Sequence, residues 1–278
     1  MRGLGSPARV LAVAVLGVAF TSPEATAEPV AQVSPGSIVR WPGEDIESCA
    51  MGKRTWAPLE GACFYAIDLL RGEGGALELA RRRGGQRESL SVRIGAYPYP
   101  VQELTLPKEQ VDLSPEDLAR VRRENADIAG LWGRTGARRF TLPLHPPLNP
   151  LSEGGRFGSR RIINGQPRSP HSGADYSAAA GEPVLAAGDG VVALVGDHFF
   201  AGRSVFVDHG DGLISMYFHL SRVDVKEGEN VSRGQRLGAV GSTGRATGPH
   251  LHFGVRWHRA RVDPALLLGD PAGLPRVP

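Results

Sequence analysis

Apolar residues in the last third of the chain come at every second position or in short runs broken by glycine, which is the pattern of short β-strands. Val184-Leu185-Ala186-Ala187 and Val191-Val192-Ala193-Leu194-Val195 flank Gly188-Asp189-Gly190 and predict a hairpin. Ser204 to Asp208 and Leu213 to Tyr217 flank His209 to Gly212 and predict another. In Gly248-Pro249-His250-Leu251-His252-Phe253-Gly254 the alternation places Leu251 and Phe253 on a core-facing side and both imidazoles on the other. Upstream, Leu90, Val92 and Ile94 alternate with polar residues, as do Leu104 and Leu106, with turns expected at Gly72 to Gly75 and at Gly84-Gly85. One helix is expected. Ser114 caps it, Pro115 takes its first position and Glu116 and Asp117 its first turn; Leu118, Val121, Ile128 and Trp132 then recur near helical spacing. Leu142 to Pro150 holds proline at four of its nine positions and reads as a stiff connector.

The expected fold class is therefore mainly β. A groove-forming antiparallel domain (151–278) follows a small β-rich domain (28–110) and a segment of helix and proline-rich connector (111–150). With 37 glycines and 22 prolines in 278 residues, composition favours turns over helical bundles. The net charge of +3 gives no strong anionic-partner signal. Arg120, Arg122, Arg123 and Glu124 read as a solvated helix face, so no nucleic-acid partner is expected. Residues 1–27 read as a secretory signal: Arg2 and Arg9, an apolar run from Val10 to Phe20, then Ala25-Thr26-Ala27. That run is far short of the roughly 20 residues a bilayer crossing needs, so cleavage near Glu28, a periplasmic location and no stable membrane insertion are expected. Export makes a disulfide the expected state of Cys49 and Cys63, the only cysteines.

The candidate chemistry lies in three blocks: His171-Ser172-Gly173-Ala174-Asp175, Tyr217-Phe218-His219-Leu220-Ser221, and the His250–His252 strand. Together they offer enough nitrogen and oxygen donors for a divalent metal, with imidazoles left over to move protons, which is what a catalytic zinc site requires. Taken singly each block is weak. An exposed pair of strand histidines and a satisfied lone His219 are the ordinary readings, and a closed structural site of His171, Asp175, His250 and His252 is a further alternative. His145, His198, His209 and His258 are assigned no chemical role, and Arg160 and Arg161 could meet substrate carboxylates, with a solvated surface as the ordinary reading. Thr243 and Arg245 are candidates for the groove wall, with a turn at Ser242-Thr243-Gly244 as an equal alternative.

Residues 154–268 resemble the lysostaphin-like, LytM-type zinc endopeptidases. The likeness is carried by those blocks together with Arg156-Phe157-Gly158-Ser159-Arg160-Arg161, Asp208-His209-Gly210 and Gly241-Ser242-Thr243-Gly244. It implies that His171, Asp175 and His252 bind Zn2+ and that His219 and His250 are the catalytic histidines, without deciding which is the base. It further implies hydrolysis of peptide cross-links in bacterial peptidoglycan. The bond expected to be cut joins D-alanine to the diamino acid of a neighbouring peptide stem, with glycine bridges as the alternative. Relatives that act without catalysis, as wall-binding activators of an amidase, lack part of the ligand set; this chain has all five positions.

Overall fold

The computed structural model describes residues 31–108 and 111–277. The segment read as a signal lies outside them. The chain is mainly β, with antiparallel sheets and a helix between its two β-rich parts. In the first part, strands run in the spatial order Ala31–Val33, Gln86–Ile94, Ala76–Arg83, Ile46–Met51, Arg54–Trp56. The central hairpin turns on Gly84 and Gly85, whose φ values of 54° and 74° suit the tight turn that right-twisted strands prefer. Leu79, Val92 and Ile94 point into a core with Val39, Trp41 and Tyr65, while the outward residues form charged cross-strand pairs such as Arg87–Glu78 at 2.5 Å. Cys49 and Cys63 are disulfide-bonded, tying this sheet to the two-stranded sheet of Ile38–Pro42 and Ala62–Ala66.

The helix spans Pro115–Ala129, and the Ser114 hydroxyl accepts from the Asp117 amide as the capping pattern predicts. Its Arg120 is not merely solvated: it donates to the Asp197 carbonyl, while Glu124 accepts from the Phe199 amide. The helix thus holds a loop of the second part in place. No helix among the described residues is long and apolar enough to cross a membrane.

The second part is built on an eight-stranded sheet. Its path runs Asn230–Val231, Gly190–His198, Gly202–Asp208, Leu213–Leu220, His250–Trp257, Gly173–Ser177, Gly154–Gly155, with Ala260–Val262 also paired to His250–Trp257. The hairpin expected around His209 to Gly212 is present. The one expected around Gly188-Asp189-Gly190 is not. Pro183–Leu185 pairs with Arg236–Ala239 in a separate three-stranded sheet, while Gly190–His198 joins the large one. The backbone after Val184 is already taken: Leu185 donates to Pro147 and Ala186 to Gln235, so the glycines carry the chain between sheets.

Tyr217, Leu251, Phe253, Val255 and Trp257 form the centre of the largest core. Each such side chain contributes roughly 1.5–3 kcal/mol on burial. Leu142, Leu144 and Leu148 of the connector join this core, and so do Ile38 and Phe64 of the first part. Phe64 lies 5.7 Å from Trp257, ring centre to ring centre. A further three-stranded sheet crosses between the parts: Val101–Leu104 runs parallel to Arg160–Ile163, which pairs with Gln166–Arg168. This sheet becomes one wall of the groove.

Candidate metal centre

Strand register brings the three sequence blocks together. Asp175 pairs with His252, Ser177 with His250, and Phe218 with His252 from the other side. Leu251 and Phe253 are fully buried beneath, as the alternation predicts, so His250 and His252 share the opposite face. His171 lies in the loop just before Gly173–Ser177. Gly173 opens that strand because nothing larger fits: a Cβ there would stand 2.5 Å from His252 Nε2.

Three donor atoms converge. His171 Nε2 lies 2.8 Å from His252 Nδ1 and 3.1 Å from Asp175 Oδ1, and His252 Nδ1 lies 2.9 Å from the same oxygen. Ligands held at about 2.0–2.2 Å around a tetrahedral zinc would be separated by about 3.3–3.6 Å, so each edge of the triangle needs to open by less than about 1 Å. The donor chemistry fits as well. His171 Nδ1 is 3.0 Å from the Arg156 carbonyl; a carbonyl can only accept, so the proton sits on Nδ1 and Nε2 presents a bare lone pair. Burial pushes the His171 imidazole down, and pushes His252 down to about 4, keeping both neutral at pH 7. Burial alone would raise the Asp175 carboxyl, but the imidazoles of His171 and His252 set against it outweigh burial and hold the group well below the ordinary carboxylate range. A carboxylate and two neutral imidazoles suit a borderline divalent cation.

His219 and His250 face the same space with rings 4.8 Å apart. His219 sits on a bulge. Between the pairs Val205–Tyr217 and Arg203–Leu220 its strand carries an extra residue, and its φ is 65°. Such a conformation is costly for a non-glycine residue and marks sites where the direction of a side chain matters. The His219 amide donates to Ala201, which fixes the bulge. Its Nδ1 is 2.8 Å from the Thr243 carbonyl, and His250 Nδ1 is 2.8 Å from the Gly248 carbonyl. Both rings therefore carry their proton on Nδ1 and turn a bare Nε2 away from the backbone. His250 Nε2 is 3.8 Å from Asp175 Oδ1, outside the tight triangle. Burial, reinforced by His252, pushes His219 down to about 4.

These groups line a pocket of about 280 Å³. One wall comes from Gln102, Leu104 and Leu106, over 60 residues before the first histidine of the site. The other comes from Phe200, Ala201 and Arg245, with the Arg245 guanidinium 4.2 Å above the Phe200 ring. Arg161 also lines the groove, is only 22% exposed, and approaches Asp175 Oδ2 at 3.9 Å, so its solvated reading does not hold. Arg160 is exposed and lies over Tyr97. Thr243 serves a turn, donating to the Leu220 carbonyl and accepting from the Arg203 amide. The four unassigned histidines stay outside the pocket lining. His209 is wholly buried between Asp189 and Ser215, His198 meets Ser204, His145 meets the Pro146 carbonyl, and His258 packs against Trp56 and Trp257. What the sequence did not reveal is the set of backbone carbonyls at Arg156, Thr243 and Gly248, whose acceptor role depends on the folded loops alone.

The sequence pattern of peptidase family M23 matches residues 169–264, which hold all five groups. A crystal structure of an M23 peptidase candidate from Pseudomonas aeruginosa superposes with a TM-score of 0.65 at 34% identity, covering 85% of this chain and 95% of that one. Among curated proteins, the chain is 49% identical over 85 residues to peptidoglycan DD-endopeptidase ShyA of Vibrio cholerae, and 44% identical over 123 residues to ShyC of the same organism. Those matches cover 31% and 44% of this chain, and 20% and 28% of the relatives' own lengths.

Proposed function

The chain belongs to peptidase family M23, and from that premise we propose that it is an exported zinc metalloendopeptidase cutting peptide cross-links of bacterial peptidoglycan. The observation that carries the reading is the convergence of His171, Asp175 and His252 within 3.1 Å of one another, beside two further imidazoles fixed as Nδ1–H tautomers. His171, Asp175 and His252 would hold the ion, which when bound supplies Lewis acidity toward a peptide carbonyl and toward water. Three protein ligands leave a position open, as catalysis demands and a closed structural site does not.

The rest of the chemistry falls to this chain's own groups. His219 and His250 present Nε2 lone pairs into the groove, so either accepts a proton from an attacking water and, once protonated, returns it to the departing amine. Their Nδ1–H donation to Thr243 and Gly248 stabilises each imidazolium as it forms, in the way a fixed acceptor orients a catalytic histidine. A protonated imidazole beside the carbonyl also steadies negative charge on the tetrahedral carbon's oxygen. Leu104, Leu106 and Phe200 narrow the groove and keep bulk water from its flanks.

The named relatives are peptidoglycan DD-endopeptidases, which supports the same polymer as substrate and a periplasmic, wall-facing location here. The test is digestion of purified cross-linked dimers by the mature protein, with zinc, with a chelator, and with zinc restored. Release of monomers with intact sugar chains, lost on chelation and regained on reloading, is expected. Uncut dimers together with stimulation of a separate amidase would replace this reading with that of a regulator.

A further inference from the structure

The turn between Gly190–His198 and Gly202–Asp208 is only three residues long, and each of them is tied to a different part of the molecule. The Ala201 carbonyl accepts from the His219 amide at 2.8 Å, and the Phe200 carbonyl accepts from the Arg245 amide at 2.9 Å. The Phe199 amide points the other way and donates to Glu124 Oε2 at 2.9 Å, across 75 residues of sequence. Glu124 lies on the helix Pro115–Ala129 and does not line the groove. Its side chain is 17% exposed, so a carboxylate drawn largely out of water needs the partners it has. Its other oxygen accepts from Arg120 Nε at 2.7 Å, and Arg120 Nη2 donates to the Asp197 carbonyl at 2.6 Å. The helix thus grips the strand end and the first residue of the turn together.

His219 enters the groove from a bulge with φ of 65°, a conformation that persists only where the surroundings impose it. Two hydrogen bonds aim it, from its amide to Ala201 and from its Nδ1–H to the Thr243 carbonyl. Both depend on the same hairpin. Ala201 belongs to the turn, and Thr243 is clasped to it: the Thr243 hydroxyl accepts from the Arg203 amide while the Arg245 amide binds Phe200. There is no slack between them, since a Cβ on Gly202 would overlap Thr243 and one on Gly244 would overlap Gly202. A shift of the turn is therefore passed to His219 at its backbone and at its ring. We propose that Glu124 is a positioning residue for His219: by anchoring the Phe199 amide to the helix it fixes the turn whose carbonyl holds the bulge. The kinetic consequence rests on the peptidase reading; the clamp itself does not. A charge-assisted hydrogen bond is stronger than the neutral ones around it, and misplacing a catalytic group by about 1 Å can cost about 10²-fold in rate.

The test compares zinc-loaded wild type, Glu124→Ala, Glu124→Gln and Arg123→Ala on a cross-linked peptide dimer. Glu124→Ala should keep its zinc and its KM while kcat falls by about 10- to 100-fold. Glu124→Gln still offers an amide oxygen to Phe199 and should stay within about threefold of wild type. Arg123 is exposed on the same helix, so Arg123→Ala should match wild type. A double-mutant cycle separates positioning from a general structural role. On the His219→Ala background, Glu124→Ala should cost less than about twofold, because the group it positions is gone. An undiminished cost on that background, or equal kcat in Glu124→Ala and wild type, overturns the proposal. Amide hydrogen exchange, read residue by residue by NMR, needs no catalysis. The His219 amide should exchange about 10-fold faster or more in Glu124→Ala, with the Val92 amide of the first half unchanged. An unchanged His219 rate likewise overturns the clamp and leaves the peptidase reading standing. Glu124→Met, which keeps bulk and helix preference but not the acceptor, repeats each measurement if the alanine variant is unstable. If wild type leaves the dimer uncut and exchange at His219 still rises in the variant, the clamp stands and the peptidase reading falls.

Discussion

The two β-rich halves of this molecule solve the same packing problem with different polar residues. All eight histidines lie after residue 144; the first half has none and displays arginine and glutamate instead. On the disulfide-bearing sheet Arg81 and Arg83 meet Glu88 and Arg87 meets Glu78, pairs that for the most part remain in contact with water. On and beside the larger sheet His171, His198, His209, His219 and His252 are buried. Solvated charge pairs contribute little to stability and ask little of the fold, whereas a buried imidazole must have its partner built. In the second half a bulge, a positive φ and a backbone acceptor come together at one buried imidazole, His219, whereas the charged pairs of the first half sit on a hairpin of regular register.

The largest expected break in this contrast is loss of the metal. His171→Ala, Asp175→Ala and His252→Ala each remove one of three converging donors, so purified variants should lose both zinc, read by elemental analysis, and activity. Stoichiometric zinc in the Asp175 variant would refute its role as a ligand. His219→Ala and His250→Ala stand outside the triangle and should retain zinc while kcat falls by about 10²- to 10⁴-fold. Loss of metal from the His250 variant would instead favour the closed structural site.

Truncation before Leu142 asks whether the halves are separable, since the division into 28–110, 111–150 and 151–278 is a proposal. Ile38 and Phe64 share a core with Trp257, so the shortened chain should melt well below the intact one. Melting at the intact temperature with zinc bound would make the second half an autonomous domain.

Acid should find the second half first. Burial lowers His209 from 6.5 to about 4 in the folded state, so the unfolded chain binds its proton more readily. The stability this represents is complete above pH 6.5 and drains as pH falls toward 4, reaching about 3 kcal/mol lost. His209→Gln should flatten that part of the pH–stability curve in denaturant titrations, and an unchanged slope would assign the effect elsewhere. The smallest effect belongs to the first half. Cys49→Ser with Cys63→Ser opens a link between residues 14 apart in sequence and should cost about 2–3 kcal/mol, with zinc content unaffected.

Much of the site was legible in the chain because it depends on alternation. The His250–His252 pair, the buried Leu251 and Phe253, the capped helix and the hairpin at His209 to Gly212 follow from local periodicity. The Gly188–Gly190 hairpin failed because its flanking strands find better partners elsewhere, at Arg236–Ala239 and Gly202–Asp208, which no local window contains. Arg161 misled for the same reason: its burial comes from Gln102 and its neighbours, far upstream. The bulge at His219 had no local signal, because the extra residue is defined only against the facing strand.

The carbonyls of Arg156, Thr243 and Gly248 place the protons of three imidazoles, and a carbonyl is the part of a residue that no codon change deletes. Proton placement here is written into the path of the main chain, so it is shielded from most point mutations. Gly248 shows how far this reaches. A methyl group added there meets nothing within 4 Å, so Gly248→Ala should leave the pH–rate profile as it was. Substituting any of those three side chains leaves its carbonyl in place, so the three tautomers should outlast changes that reshape the surface around them.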